Sequence, residues 1–174
     1  MNIVSPIHRL LHCDADLYRT IRLEALAANP EAFGASFEAE NLHPVDWFAG
    51  RLTASNVFGA FRDNELAGVA GFYIEQSPKM AHKAKLWGMY VRPDARRSGI
   101  GRRLVGAILE AASARAELIQ LNVTRGNEAA HRLYASLGFV QYGLEVNALK
   151  HDGRYYDEIL MARGLTQSPE KSPP

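Results

Sequence analysis

The sequence predicts a mixed α/β domain in which about seven strands form a central mixed sheet flanked by about four helices. Three observations carry that expectation. Apolar residues recur at helical spacing in four stretches, and between them the period drops to two in runs rich in Val, Phe and Tyr. Two tight-turn signals, Asp63-Asn64 and Asp152-Gly153, each join a pair of strand-like runs into a hairpin. The 174 residues, 47% of them hydrophobic, suit one domain that buries roughly two-thirds of its unfolded surface.

Taken in order, residues 2–8 read as a short strand bent at Pro6. From Asp14 to Asn29, Leu17, Ile21 and the run Leu23–Ala25 keep one apolar face, an aspartate caps the start, and Asn29-Pro30 stops the helix. Val45 to Ala54 is a second helix with Trp47, Phe48 and Leu52 inward. Val57–Arg62 and Leu66–Glu75 form the first hairpin, and Lys85–Val91 is a further strand ended by Pro93. Gly99 to about Arg115 is helical, with Ile100, Leu104, Val105, Ile108, Leu109 and Ala112 in one stripe. Leu118–Thr124 is a strand, and Asn127–Leu137 a helix capped by Asn127 and stopped at Gly138. Phe139–Leu149 and Tyr155–Met161 close the order β-α-α-β-β-β-α-β-α-β-β as the second hairpin. Residues 1–164 therefore make a single domain, and the Pro- and Ser-rich stretch 165–174 is expected to be disordered.

Charge and motifs then remove whole classes. Twenty Lys plus Arg against nineteen Asp plus Glu leave +1, without the basic excess that nucleic acid or an anionic membrane surface requires. The single cysteine, Cys13, excludes an intrachain disulfide and a Cys-based zinc cage, and suits a reducing compartment. His8 and His12 straddle a strand-to-loop stretch and read as surface or packing residues, so no metal is expected. The start, broken by Ser5, Pro6, His8 and Arg9, lacks a signal-peptide core, and no run approaches the ~20 apolar residues of a membrane span. A soluble cytoplasmic protein is expected. A P-loop, a nucleophile elbow and a His-Glu-x-x-His pair are all absent, and Leu104 stands where a dinucleotide fingerprint needs its third glycine.

One segment asks for more than folding. Strand Leu86–Val91 leads through Arg92-Pro93-Asp94-Ala95 into Arg96-Arg97-Ser98-Gly99-Ile100-Gly101, where a helix starts. Glycines in such a turn let backbone N–H groups approach a ligand, and a helix start offers unsatisfied donors and a positive dipole end. Arg96, Arg97, Arg102 and Arg103 add charge. This is the physics of a pyrophosphate cradle, and it is also compatible with an ordinary basic turn.

The run Arg96-x-x-Gly99-x-Gly101 resembles the acyl-CoA signature Gln/Arg-x-x-Gly-x-Gly/Ala of the GNAT superfamily of N-acetyltransferases. Asn127 to Phe139 is similar to that family's Asn-x-x-Ala-x-x-x-Tyr-x-x-x-Gly-Phe stretch, with Tyr134 at the tyrosine position. The resemblance is specific from Trp87 to Phe139 and architectural elsewhere. It implies the GNAT fold, acetyl-CoA as cosubstrate, no metal, a small-molecule amine acceptor, and room for a homodimer. By the same resemblance, the backbone of Met89, Tyr90 and Val91 would pair with the pantetheine arm. Arg96 and the amides of Arg97, Ser98, Gly99, Ile100, Gly101 and Arg102 would hold the pyrophosphate, with Asn127 helping besides its cap role. Tyr134, which also reads as a core aromatic, would protonate the departing thiolate. Strand Lys85–Val91 carries no Asp or Glu, so the general base is open among Glu75, His82, Glu145, Glu158 and a water chain. The final hairpin sets Tyr155, Tyr156, Asp157 and Glu158 beside Tyr142–Asn147, a grouping suited to an ammonium, and Arg154 to a carboxylate, unless these residues only cover the sheet. Peptide N-acetylation and a noncatalytic acyl-CoA sensor are the rival readings.

Overall fold

The computed structural model of the chain describes residues 6–165. Its elements alternate as the periodicity predicts: β1 (Ile7–Arg9), α1 (Ala15–Ala28), α2 (Phe37–Asn41), α3 (Val45–Ala54), β2 (Asn56–Arg62), β3 (Glu65–Ile74) and β4 (Lys83–Val91). There follow α4 (Ile100–Ser113), β5 (Leu118–Thr124), α5 (Glu128–Ser136), β6 (Val140–His151) and β7 (Arg154–Gly164). The strand expected over 2–8 begins outside the described residues, and of the tail expected to be disordered over 165–174 all but Leu165 lies outside them. α2 is a helix the periodicity did not reveal. Five residues are too few to show a period, and the helix is set by Ser36, whose Oγ accepts from the Ala39 N–H at 3.3 Å.

The seven strands lie in the order β1-β2-β3-β4-β5-β7-β6, and among the described residues only β4 and β5 run parallel. Both hairpins turn on two consecutive left-handed residues, Asp63 and Asn64 in one, Asp152 and Gly153 in the other, which matches the twist of the strands they join. Alternation along β5 divides the core. Ile119, Leu121 and Val123 face α4 and α5 and pack with Leu104, Val105 and Ile108. On the other face of β2–β4, α1 and α3 bring Tyr18, Ile21, Phe48 and Leu52 against Val57 and Val69. The sheet is thus a partition, and anything that passes through it must do so where two strands separate.

Candidate functional site

They separate between β4 and β5. The two strands pair only over Lys83–Lys85 and Leu118–Gln120, although β4 continues to Val91 and β5 to Thr124. Beyond the last of these pairs, β4 carries a bulge against β3. Val69 pairs with Tyr90 and Gly71 with Trp87, so Gly88 and Met89 together oppose Ala70 alone. Gly88 sits at φ +64°, a left-handed conformation that glycine adopts without steric cost. Just before it, the Trp87 ring lies flat on β3, so close that a Cβ at Gly71 would come within 3.0 Å of it. From Leu86 onward, the β5 side of β4 pairs with no strand among the described residues.

The mouth of this fork is the glycine turn. Past Val91 the chain makes a short 3-10 turn, passes Arg97 at φ +59° and Gly99 at φ +83°, and enters α4. No side chain caps helix α4, as none caps α1 or α3, whereas Ser36 caps α2 and Asn127 caps α5. Among the described α-helices it alone has no acid in its first turn. Its first i→i−4 bond is from Arg103 N–H to Gly99 O, 3.1 Å, so the amides of Ile100, Gly101 and Arg102 have no acceptor within the helix. A Cβ at Gly101 would stand 3.2 Å from both Met89 Cε and Leu133 Cδ2, so the missing side chain is what lets α4 close on β4 and α5 beside the fork. The arginines around this start are not all free. Arg96 donates through Nε to Val91 O at 3.0 Å and lies over the Tyr90 ring, and Arg102 reaches Ser136 on α5. Arg97 and Ser98 are exposed at the rim, with Ser98 Oγ donating to Ala95 O. Uncapped donors, a positive dipole end and this collar of guanidinium groups make a fitting seat for a pyrophosphate.

Of the strand residues the sequence points to, Met89 faces the α4 side, while Tyr90 is buried on the other face and donates from its hydroxyl to Glu24 Oε1 at 3.0 Å. Asn127 performs its capping role, Oδ1 accepting from Ala130 N–H at 3.2 Å. Tyr134 is 5% exposed in the α4–α5 core, edge-on to Phe139, and its hydroxyl makes no hydrogen bond to a described residue. Burial pushes its phenol well above the usual 10, so the proton stays on.

The opposite face of the fork joins Glu158, one of the carboxylates the sequence offers as a base, to two partners the sequence did not reveal. Lys85, on the last paired position of β4, donates through Nζ to Asn122 Oδ1 at 2.5 Å. Asn122 Nδ2 in turn donates to Glu158 Oε2 at 2.6 Å. Nearby, Arg22 of α1 grips the buried Glu40 of α2 through two 2.9 Å bonds, Arg51 of α3 adds a third contact, and both guanidiniums lie over Trp87. A separate cavity of about 470 Å³, lined by none of these groups, lies between Phe33, Ser36 and Phe37 on one side and Leu149 to His151 of β6 on the other.

The final hairpin does not act as one group. Alternation puts Asp157 and Glu158 on opposite faces, and Asp157 is spent on the backbone: Oδ1 accepts from Asn147 N–H at 3.0 Å, and Arg125 pairs with Oδ2 at 3.4 Å. Arg154 lies over Tyr156 and Lys150 over Tyr155, so the protein's own cations already occupy those ring faces. His82 sits at the closed end of the fork, where its carbonyl accepts from Glu117 and Leu118. One signal for the missed residues is present in the sequence: Lys85, Gln120 and Asn122 are polar at alternate positions of strands whose other positions are apolar.

Comparison with known proteins agrees with this geometry. The model of the acetyltransferase (GNAT) family matches residues 18–139. Phosphinothricin N-acetyltransferase of Alcaligenes faecalis is 34% identical over 113 residues, which cover 61% of this chain and 55% of that one. An uncharacterized protein of Mycobacterium leprae is 34% identical over 130 residues, 73% of this chain and 34% of its own. This chain therefore spans about half of the first relative and a third of the second. Among solved structures, a GNAT-family acetyltransferase from Streptococcus pneumoniae superposes with a TM-score of 0.81 at 20% identity, covering 91% of this chain and 98% of its own. An acetyltransferase from Salmonella typhimurium, solved with acetyl-CoA, gives 0.78 at 19% identity over 94% and 95%. The forked mixed sheet is the fold that this chain shares with those acetyltransferase structures. The chain belongs to the acetyltransferase (GNAT) family.

Proposed function

We propose that the protein transfers the acetyl group of acetyl-CoA to the primary amine of a small molecule, by direct attack within a ternary complex. The observation that carries this reading is the fork itself, open from Leu86 to Val91 and mouthed by the uncapped start of α4. Acetyl-CoA supplies an activated thioester; the chain supplies everything that positions it. The free edge of β4 at Met89, Tyr90 and Val91 offers main-chain groups to an extended amide-bearing arm, in the manner of an added strand. Arg96 and the amides of Arg97, Ser98, Gly99, Ile100, Gly101 and Arg102 hold the diphosphate, and Asn127 helps to fix the cofactor besides capping α5. A β4 amide polarises the carbonyl. As the amine nitrogen bonds to the acetyl carbon and the C–S bond breaks, the Tyr134 hydroxyl gives its proton to the leaving sulfur.

The cavity of about 470 Å³ between the 33–37 loop and β6 has the size of a small-molecule site, which supports a small acceptor. The naming of a relative for phosphinothricin, a small amine, points the same way. The lone Cys13 thiol is consistent with work in the reducing cytoplasm. Thiol release from acetyl-CoA against a panel of amino acids, polyamines, aminoglycosides and peptides is the test. Turnover with a small amine is the expected result. Turnover with peptides alone would move the acceptor class, and CoA binding without any turnover would leave only a carrier-binding protein.

A further inference from the structure

The bottom of the fork has a carboxylate aimed by two neighbours. We infer that Glu158 is the group that binds the acceptor's ammonium and takes the proton released when its nitrogen is acylated, with Asn122 and Lys85 as positioning residues. This rests on the acetyltransferase reading above.

Place comes first. An arm entering at Val91 runs down the free edge of β4 toward Lys85, where pairing with β5 resumes and the fork closes. The six residues Leu86–Val91 span roughly 20 Å of strand. The reacting end of the arm therefore lies toward the base, and Lys85, Asn122 and Glu158 stand there. They occupy the face away from α4 and α5, because Ile119, Leu121 and Val123 take the other face and Glu158 lies opposite Thr124 in the β5–β7 register. Tyr134 belongs to the α4–α5 side. An acid on one face of the partition and a proton acceptor on the other is the arrangement that direct attack through the fork demands.

Orientation comes second. A lysine ammonium only donates, so its bond fixes the Asn122 oxygen toward Lys85 and leaves the amide N–H to donate to Glu158. Glu158 is thereby held through Oε2 alone, and Oε1 makes no hydrogen bond to a described residue. Charge comes third. Glu145 lies directly opposite Glu158 across β6 and β7, an unfavourable pairing, and Glu75 also acts on Lys85. One lysine faces three carboxylates, and a substrate ammonium would supply the second cation. Burial also lowers the Lys85 pKa, although all three carboxylates oppose the shift.

The protons balance. The bound ammonium first loses one proton to water, and the neutral nitrogen attacks the carbonyl carbon. The new C–N bond makes the remaining N–H acidic, and that proton goes to Glu158. Tyr134 protonates the sulfur. Water then returns a proton to Tyr134 and removes one from Glu158, so one proton is released per turnover.

The test compares the wild type with Glu158→Gln and Asn122→Leu, using the best amine from the panel. For Glu158→Gln, acceptor kcat/KM should fall roughly 100-fold, with a raised amine KM. Asn122→Leu should change the same quantities in the same direction, by about 10-fold. Acetyl-CoA KM and the calorimetric affinity for CoA should hold in both, and the amine titrated into CoA-saturated protein should bind more weakly. An acceptor kcat/KM within about twofold of wild type for Glu158→Gln would overturn the inference while leaving the acetyltransferase reading intact. If wild type binds CoA yet releases thiol with no amine, both fall together.

Discussion

Tyr134 is a core side chain to which the proposed reaction also assigns chemistry. Its ring packs edge-on to Phe139 in the α4–α5 core, and burial keeps its hydroxyl protonated. Tyr134→Phe should retain the packing and CoA affinity while kcat falls roughly 100-fold. Turnover within about twofold of wild type would reduce Tyr134 to a core aromatic. The same shift predicts a pH effect on stability. A phenol whose pKa is raised by folding contributes stability fully present below about pH 10, the unfolded value, and lost as pH climbs toward the folded value. Urea melts above pH 10 should therefore show wild type losing more stability than Tyr134→Phe, whereas equal losses would mean that another group governs the alkaline limb. Asp157 gives the complementary case. Bonded to Asn147 and Arg125, it is a strand latch, so Asp157→Ala should cost about 1 to 2 kcal/mol and leave the amine KM unchanged. A raised amine KM would return Asp157 to the acceptor site.

The decisive element is the start of α4, where a helix leaves its first donors without a cap. Gly101→Glu would place a carboxylate among those donors, and CoA affinity in calorimetry should collapse. The new side chain would also press on Met89 and Leu133 from its first carbon, so the melting temperature should fall as well. Titration far below the melt separates the two effects. Unchanged affinity there would remove the diphosphate seat from this turn. The recognition of the cradle was legible because it lies in a short contiguous stretch, Arg96 to Gly101, whose glycines and charges are local properties. The fork it opens onto was not, because a gap between two strands belongs to neither strand.

At the scale of the molecule, the Arg22–Glu40 pair ties α1 to α2 beneath Trp87, with Arg51 joining from α3. Both partners are 4% exposed. Glu40→Ala would leave a buried guanidinium without its carboxylate, a loss of about 3–5 kcal/mol. The urea midpoint should drop accordingly, and an unchanged midpoint would show that Arg22 finds water or another acceptor instead. These three helices meet the sheet beside the bulge at Gly88, so the same pair also shapes the wall of the acceptor side.

By itself, the sequence determined the order of strands and of every helix but α2, the two hairpins and the glycine start of α4. Each of these is fixed by periodicity, turn chemistry or caps within about 10–15 residues of chain. Only the tertiary structure decided where β4 and β5 part, that Asp157 and Glu158 turn to opposite faces, and that Lys85, Asn122 and Glu158 join across three strands. It also decided that Arg22, Glu40 and Arg51 close on Trp87 from three helices. These contacts link residues 11 to 37 positions or more apart, and they form because burial on a common face forces polar groups to find one another there.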